Sequence, residues 1–322
     1  MNNLRIIFMG TPEFAVASLQ KLVENNCNVV AVITAPDKPS GRGLQLSPSP
    51  VKQYALTQNI PVLQPEKLKN PVFLEELASY KADLQIVVAF RMLPEVVWDM
   101  PNKGTFNLHA SLLPQYRGAA PINWAIMNGE TETGVTTFFL EQDIDTGNII
   151  FQETEPIHKE DNVGFLYERL MKKGGDLVLK TVRAIEANNY PQVPQKQLDI
   201  PKHAPKIFKE TCEINWNQPA ESIYNFVRGL SPYPAAWTML NGKMCKVFRV
   251  APQPPEGGVN NVTTQNLQLT THNSQLTTHN YTTDNKKYLY FKASDGWVAI
   301  EELQLEGKKR MGIEEFLRGV KL

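Results

Sequence analysis

Arg5-Ile6-Ile7-Phe8-Met9, followed by Gly10-Thr11-Pro12, decides the fold of this chain. Four apolar residues in succession read as a buried strand, because a strand that is apolar on both faces must be covered on both. Gly10 and Thr11 then turn the chain. Pro12 suits the first position of a helix running to about Glu24, where its missing N–H has no partner to lose. The same alternation recurs downstream. Asn28 to Thr34, Leu84 to Ala89 and Gly104 to Leu108 are strand-like, with helical stretches near Val51 to Gln58, Pro71 to Ser79 and Pro94 to Met100. Strands and helices laid down in turn build a doubly wound, parallel α/β sheet. Strands at Gly134 to Leu140 and Asn148 to Glu153, and a long helix from Val163 to Ala187, complete a first domain expected over 1–189.

At 322 residues the chain is too long for one ordinary core and calls for a second domain. Four prolines between Pro191 and Pro205, with little apolar content among them, predict an extended linker over 190–208. Beyond it the pattern changes to short alternating strands at Ala236 to Leu240, Lys243 to Val250, Lys287 to Ala293 and Gly296 to Leu305, introduced by a helix around Ala220 to Arg228. A small β-barrel is expected over 209–322. The polar tract Thr263 to Asn285, within an insertion near 260–286, contains Leu-Thr-Thr-His-Asn twice, from Leu269 and from Leu276. Such a tract buries too little apolar surface to fix itself and is expected to be a disordered hairpin insertion. His272 and His279, at equivalent places in the repeat, read as solvated loop residues.

Lys plus Arg and Asp plus Glu each number 33, so the chain is not a globally basic nucleic-acid binder, although local basic patches remain open. Cys27, Cys212 and Cys245 are odd in number and far apart, which argues for inert core thiols over a disulfide framework or a zinc knuckle. Nothing resembles a signal peptide or an 18-residue apolar span, so no membrane partner and a cytoplasmic address are expected, with a monomer as the default.

The chemistry gathers around Asn107, Leu108 and His109, which end a strand just before Ser111-Leu112-Leu113-Pro114-Gln115-Tyr116-Arg117-Gly118, and in the turn Asp143-Ile144-Asp145-Thr146-Gly147. In an open parallel sheet the ligand crevice lies beyond the carboxyl ends of the strands. An amide, an imidazole and a carboxylate are what a reaction needs to hold a developing oxyanion, shuttle a proton and orient the shuttle. Each has a plainer reading: His109 satisfied by backbone at a strand end, Asn107 as a turn-former, Asp143 and Asp145 as capping residues. One imidazole, one carboxylate and an amide fall short of a usual metal set, so no metal is expected. Gly10 to Phe14 is a second candidate, a glycine at a strand end ahead of a helix N-terminus, equally explained as a tight turn. The GxGxxG fingerprint is absent, which argues against a nicotinamide enzyme. The long Pro36 to Pro50 stretch carries Lys38 and Arg42 and reads either as a functional or as a solvated loop.

Together these residues resemble the methionyl-tRNA formyltransferase family. The resemblance runs from Phe8-Met9-Gly10-Thr11-Pro12-Glu13-Phe14, through the Pro36 to Lys52 loop, Asn107 to Gly118 and Asp143 to Gly147, to Ala204-Pro205-Lys206-Ile207 and Gly307 to Arg318. It implies a Rossmann-like catalytic domain binding 10-formyltetrahydrofolate, an OB-like barrel domain, and a basic linker that helps hold initiator methionyl-tRNA. By the same resemblance Asn107, His109 and Asp145 are catalytic, and Ser111, Leu112, Leu113 and Pro114 lie against the folate. Phe14, Phe90 and Leu93 are either pocket lining or core. Arg42 and Lys38 in the loop, Lys206 in the linker and Lys209 just after it, and the Lys308, Lys309, Arg310 cluster are the expected tRNA contacts. Two departures stand out: Leu44, Gln45 and Leu46 replace a stretch often rich in lysine, and Asn215 precedes Trp216 where an acidic residue is usual. The alternatives are formyl transfer to a sugar-nucleotide amine or to glycinamide ribonucleotide, hydrolysis of formyltetrahydrofolate, and a non-enzymatic RNA-binding module.

Overall fold

The computed structural model describes residues 4–40, 45–143, 145–196, 198–252, 265–270 and 276–322. Arg42 and His272 lie outside the described residues. The chain divides into two compact units, one made of 1–121, 132–156 and 167–203, the other of 122–131, 157–166 and 204–322.

The first unit is built on β1 (Ile6–Gly10), α1 (Glu13–Glu24), β2 (Val29–Ile33), β3 (Lys38–Ser40), β4 (Gln45–Ser47), α2 (Pro50–Thr57), β5 (Val62–Leu63), α3 (Pro71–Ser79), β6 (Leu84–Val88), α4 (Glu95–Trp98) and β7 (Thr105–His109). After β8 (Arg117–Gly118) and α5 (Pro121–Met127) come β9 (Glu132–Phe139), β10 (Ile149–Pro156), α6 (Val163–Glu186) and β11 (His203–Ala204). The main sheet has the order β10-β9-β7-β6-β1-β2-β5. Strands β5, β2, β1, β6 and β7 are parallel, while β9 runs against its neighbours on both sides. Every residue of β1 and β6 is buried, as their mostly apolar character requires, and the polar Gln85 accepts the Thr105 hydroxyl at 3.2 Å. Pro12 is extended and stands just before the helix, one position earlier than expected. Ser49 and Asn70 cap α2 and α3 through side-chain oxygens, each followed by a proline in the first turn.

Within the predicted Pro36 to Pro50 loop, β3 and β4 pair antiparallel, with Lys38 opposite Ser47 and Ser40 opposite Gln45. The foot of this pair is held by Lys52 Nζ, which donates to Asp37 Oδ2 at 2.6 Å and to Gln64 Oε1 at 2.7 Å. The linker, in turn, is extended but not free. Val193 bridges Ile149 through N–H to carbonyl bonds of 2.8 and 2.9 Å in the two directions. An extended proline-rich stretch cannot satisfy its own backbone, so its polar groups seek partners elsewhere.

The second unit carries a turn of 3₁₀ helix (Glu210–Cys212), α7 (Ala220–Leu230), β12 (Ala236–Leu240), β13 (Lys243–Ala251), β14 (Gln265–Thr270), β15 (Leu276–Thr283), β16 (Leu289–Lys292), β17 (Trp297–Leu305), β18 (Met311–Gly312) and α8 (Ile313–Gly319). Its strands pair antiparallel in the order β12-β13-β17-β16-β15-β14, a curled, barrel-like sheet, with β18 beside β17. Trp216 stacks on Phe291 with ring centroids 4.2 Å apart and donates its indole N–H to Thr238 at 3.0 Å. Asn215, the departure noted above, accepts the Asn217 N–H at 3.0 Å in a local turn. The expectation of a disordered polar insertion is corrected where the tract is described. β14 and β15 pair from Gln265 opposite Tyr281 to Thr270 opposite Leu276, and Tyr281 is buried against Phe291. One aromatic in a polar tract supplies the anchor that composition alone conceals.

Candidate functional site

Parallel register aligns the strand ends: Gly10 lies opposite Val88 and Val88 opposite Leu108, so Gly10, Ala89 and His109 leave the sheet along one edge. Alternation along β7 puts Asn107 and His109 on the same face. Asn107 is half-buried and His109 is buried. Ala89 has φ 47°, a left-handed conformation that is uncommon without glycine and marks a constrained strand end.

The imidazole is set by two neighbours. His109 Nε2 lies 2.8 Å from the Tyr116 carbonyl oxygen. A carbonyl only accepts, so Nε2 carries the proton and Nδ1 is the free basic nitrogen of the neutral ring. Nδ1 faces Asp145 Oδ2 at 4.0 Å, beyond hydrogen-bond reach. Asp145 has φ 56°, and its Oδ2 accepts the Gly118 N–H at 3.1 Å. Gly147 closes the same turn against β9, where a Cβ would come within 1.8 Å of the Phe139 carbonyl oxygen.

A row of polar side chains crosses the sheet beside His109. Thr136 on β9 is opposite His109, and Gln152 on β10 is opposite Thr136. The Thr136 hydroxyl donates to the Ser111 carbonyl at 2.7 Å and accepts from the Leu113 N–H at 3.2 Å and from Gln152 Nε2 at 2.9 Å. Gln152 also donates to the Leu113 carbonyl at 2.9 Å. The Ser111 to Pro114 loop is thereby fastened to the sheet. Ser111 is buried with its hydroxyl donating to the Gln115 carbonyl at 2.7 Å, Leu113 is buried, and Leu112 and Pro114 are half-buried. Sequence reasoning missed Thr136 and Gln152, because single polar residues carry no motif.

Other expected residues fall elsewhere. Gly10 is explained by packing, since a Cβ there would lie 2.6 Å from Ala15 Cβ. Phe14 is buried, donates its backbone N–H to the Tyr167 hydroxyl at 2.9 Å and stacks edge-on against that ring. Leu93 belongs to an apolar cluster with Ile7, Met9 and Val97, and Phe90 packs on it, so these are core. Lys38, Lys206 and Lys209 are exposed, with Lys206 Nζ 5.3 Å from the centre of the Phe208 ring. The expected basic cluster is largely committed. Arg310 makes a two-pronged contact with Glu302 at 2.7 and 2.8 Å, holding that carboxyl below the usual range, and Lys309 pairs with Glu315 at 2.9 Å. Among the described residues no three His, Cys, Asp or Glu side chains converge as a metal site, and no helix is long and apolar enough to cross a membrane.

This chain belongs to the formyl transferase family. Residues 4–182 match the model described as formyl transferase, and residues 206–321 match the model of the formyl transferase C-terminal domain. Within it the chain belongs with the methionyl-tRNA formyltransferases. It is 54% identical to the one from Bacteroides thetaiotaomicron, over 99% of this chain and 97% of the relative. It is 44% identical to the one from Syntrophus aciditrophicus, over 100% and 98%. Among solved structures, WlaRD, a sugar 3N-formyl transferase crystallised in the presence of dTDP and 5-N-formyl-THF, shares the fold with a TM-score of 0.62 at 20% identity, over 96% of this chain and 100% of that one. HypX from Aquifex aeolicus in complex with tetrahydrofolic acid gives 0.61 at 21% identity, over 99% of this chain and 48% of HypX.

Proposed function

We propose that this protein transfers the formyl group of 10-formyltetrahydrofolate to the free α-amine of methionine on initiator methionyl-tRNA, in the cytoplasm. The observation that carries the reading is the placing of Asn107 and His109 on one face at a strand end, with the Asp145 carboxylate across from Nδ1. Attack of the amine on the formyl carbon forms the new C–N bond and places negative charge on the former carbonyl oxygen. The Asn107 amide stabilises that oxyanion as it forms, joined by the imidazolium once His109 has accepted the amine proton. His109 Nδ1 takes the amine proton while Asp145 stabilises the resulting imidazolium. The proton then passes to the folate nitrogen as its C–N bond breaks, giving formylmethionyl-tRNA and tetrahydrofolate. Leu112 and Pro114 offer the apolar edge of a loop that Thr136 and Gln152 hold in place, suited to a flat pterin.

The acceptor follows the relatives that match over nearly the whole chain and are named for methionyl-tRNA. Residues 1–189 serve as the catalytic domain, 190–208 as the basic linker and 209–322 as the OB-like domain. Lys38 and Arg42 reach the acceptor end, and Lys206 and Lys209 meet phosphates. The test is transfer of labelled formyl from 10-formyltetrahydrofolate to initiator methionyl-tRNA, beside uncharged tRNA, free methionine and an amino-sugar nucleotide. Label on methionyl-tRNA alone is expected; label on the sugar nucleotide, or release as formate, would refute the acceptor.

A further inference from the structure

Gln195 lies in the proline-rich segment, outside every motif the family resemblance covers, yet its amide is fully engaged. Nε2 donates to the carbonyl oxygens of Asp145 at 2.8 Å and Gly147 at 2.9 Å. Oε1 accepts from Arg117 Nη2 at 2.6 Å and Nε at 3.2 Å. Only this orientation of the amide is possible, because carbonyls cannot donate and a guanidinium cannot accept. We infer that Gln195 is a positioning residue for the reaction: it holds the Asp145 carboxylate opposite His109 Nδ1 by tying the Asp145 turn to the arm on the far side of the imidazole. The inference rests on the proposed function.

Three further observations point the same way. Arg117 sits between Tyr116, whose carbonyl fixes His109, and Gly118, whose N–H fixes the Asp145 carboxylate. Gln195 therefore links both sides of the 4.0 Å gap between imidazole and carboxylate. Asp145 itself is in the left-handed region with φ 56°, a conformation uncommon outside glycine that marks a constrained turn. The segment is also registered rather than draped, since Val193, two residues ahead, bridges Ile149 in both directions. A misplacement of about 1 Å at such a gap costs on the order of 10²-fold in rate, and no substrate contact by Gln195 is required.

The experiment measures single-turnover formyl transfer at saturating folate and methionyl-tRNA for Gln195→Met and Arg117→Met, each in the native chain and in an Asp145→Asn background. A residue acting only through Asp145 loses its effect once that carboxylate is gone, whereas a general loss of structure carries over unchanged. Gln195→Met is expected to slow transfer about tenfold or more, with KM for both substrates little changed. In Asp145→Asn protein the same change should alter the rate less than about twofold. Arg117→Met, which leaves both Gln195 donors in place, should show a smaller loss that also vanishes in that background. Equal losses in both backgrounds, or an unaltered rate in Gln195→Met, would overturn the inference. Should Gln195→Met not fold, the Arg117→Met pair decides by the same criterion. Failure of the unmodified chain to formylate methionyl-tRNA would refute the functional reading instead, and needs no variant to detect.

Discussion

Gly147→Ala is expected to damage stability and turnover together, and the geometry sets how much. The new methyl would lie 1.8 Å from the Phe139 carbonyl oxygen and 2.9 Å from its carbon, both backbone atoms that cannot rotate aside. The turn must lift from β9 by roughly 1 Å to admit it. That movement strains the Phe139 N–H to Asn148 carbonyl bond of 3.0 Å and the Gln195 to Gly147 bond of 2.9 Å. Two weakened hydrogen bonds at about 0.5–1.5 kcal/mol each, with overpacking on top, give a local cost of about 2–4 kcal/mol. Asp145, two residues earlier, moves with the turn, so single-turnover transfer should fall on the order of 10²-fold. Hydrogen exchange of the β9 and β10 amides reads the stability of this unit without assuming that the whole chain unfolds in one step. Gly296→Ala, where a Cβ meets nothing within 4 Å, is the control. If Gly147→Ala kept native exchange protection and native turnover, the argument from close approach would be wrong.

Thr136→Val keeps the shape but orphans the partners of one hydroxyl, so it should cost about 1–3 kcal/mol of local stability; exchange of the Leu113 amide should rise, and KM for the folate with it, while unchanged exchange would contradict the fastening role. Burial raises the Asp284 carboxyl, but N–H donors from Lys286, Lys287 and Tyr288 outweigh it and hold it below its ordinary value. A carboxyl lowered on folding contributes stability above its unfolded pKa and loses it as pH falls through the folded one. The stability gap between native protein and Asp284→Ala should therefore be full at pH 7 and close below about pH 4, and a gap that widened with acid would refute the assignment. Burial pushes the Cys245 thiol up to about 12, and Cys27 and Cys212 are buried and raised as well. A thiolate-specific reagent at pH 8 should modify none of the three in folded protein and all three in urea; rapid native labelling would contradict their placement.

Strand existence was legible in β1 and β2 from an apolar run, in β6 from one broken only by Gln85, and in β7 from the alternation of Phe106 and Leu108 with polar residues. Direction was not. Nothing in the residues of β9 tells it to run against both neighbours, since pairing sense depends on chain path. The pairing of β3 with β4 hid behind proline and serine, which read as loop one residue at a time. Asn107, His109 and Asp145 were singled out through the motifs around them. Gln195 and Thr136 could not be, because their partners lie far along the chain: Gln195 meets Arg117 across 78 positions. Tyr281 shows the converse error, a core residue discounted for the polar company it keeps.

The central claim is that Asn107 and His109 stabilise an oxyanion formed on the formyl group. The most direct measurement is single-turnover formyl transfer to initiator methionyl-tRNA by Asn107→Ala and His109→Ala, with fold integrity checked by hydrogen exchange of β6 and β7. Loss of about 10²–10³-fold in rate for Asn107→Ala, and at least as much for His109→Ala, with native exchange protection, is the expected result. Rates within about threefold of the unmodified chain in both variants would place the chemistry elsewhere on the molecule and contradict the account.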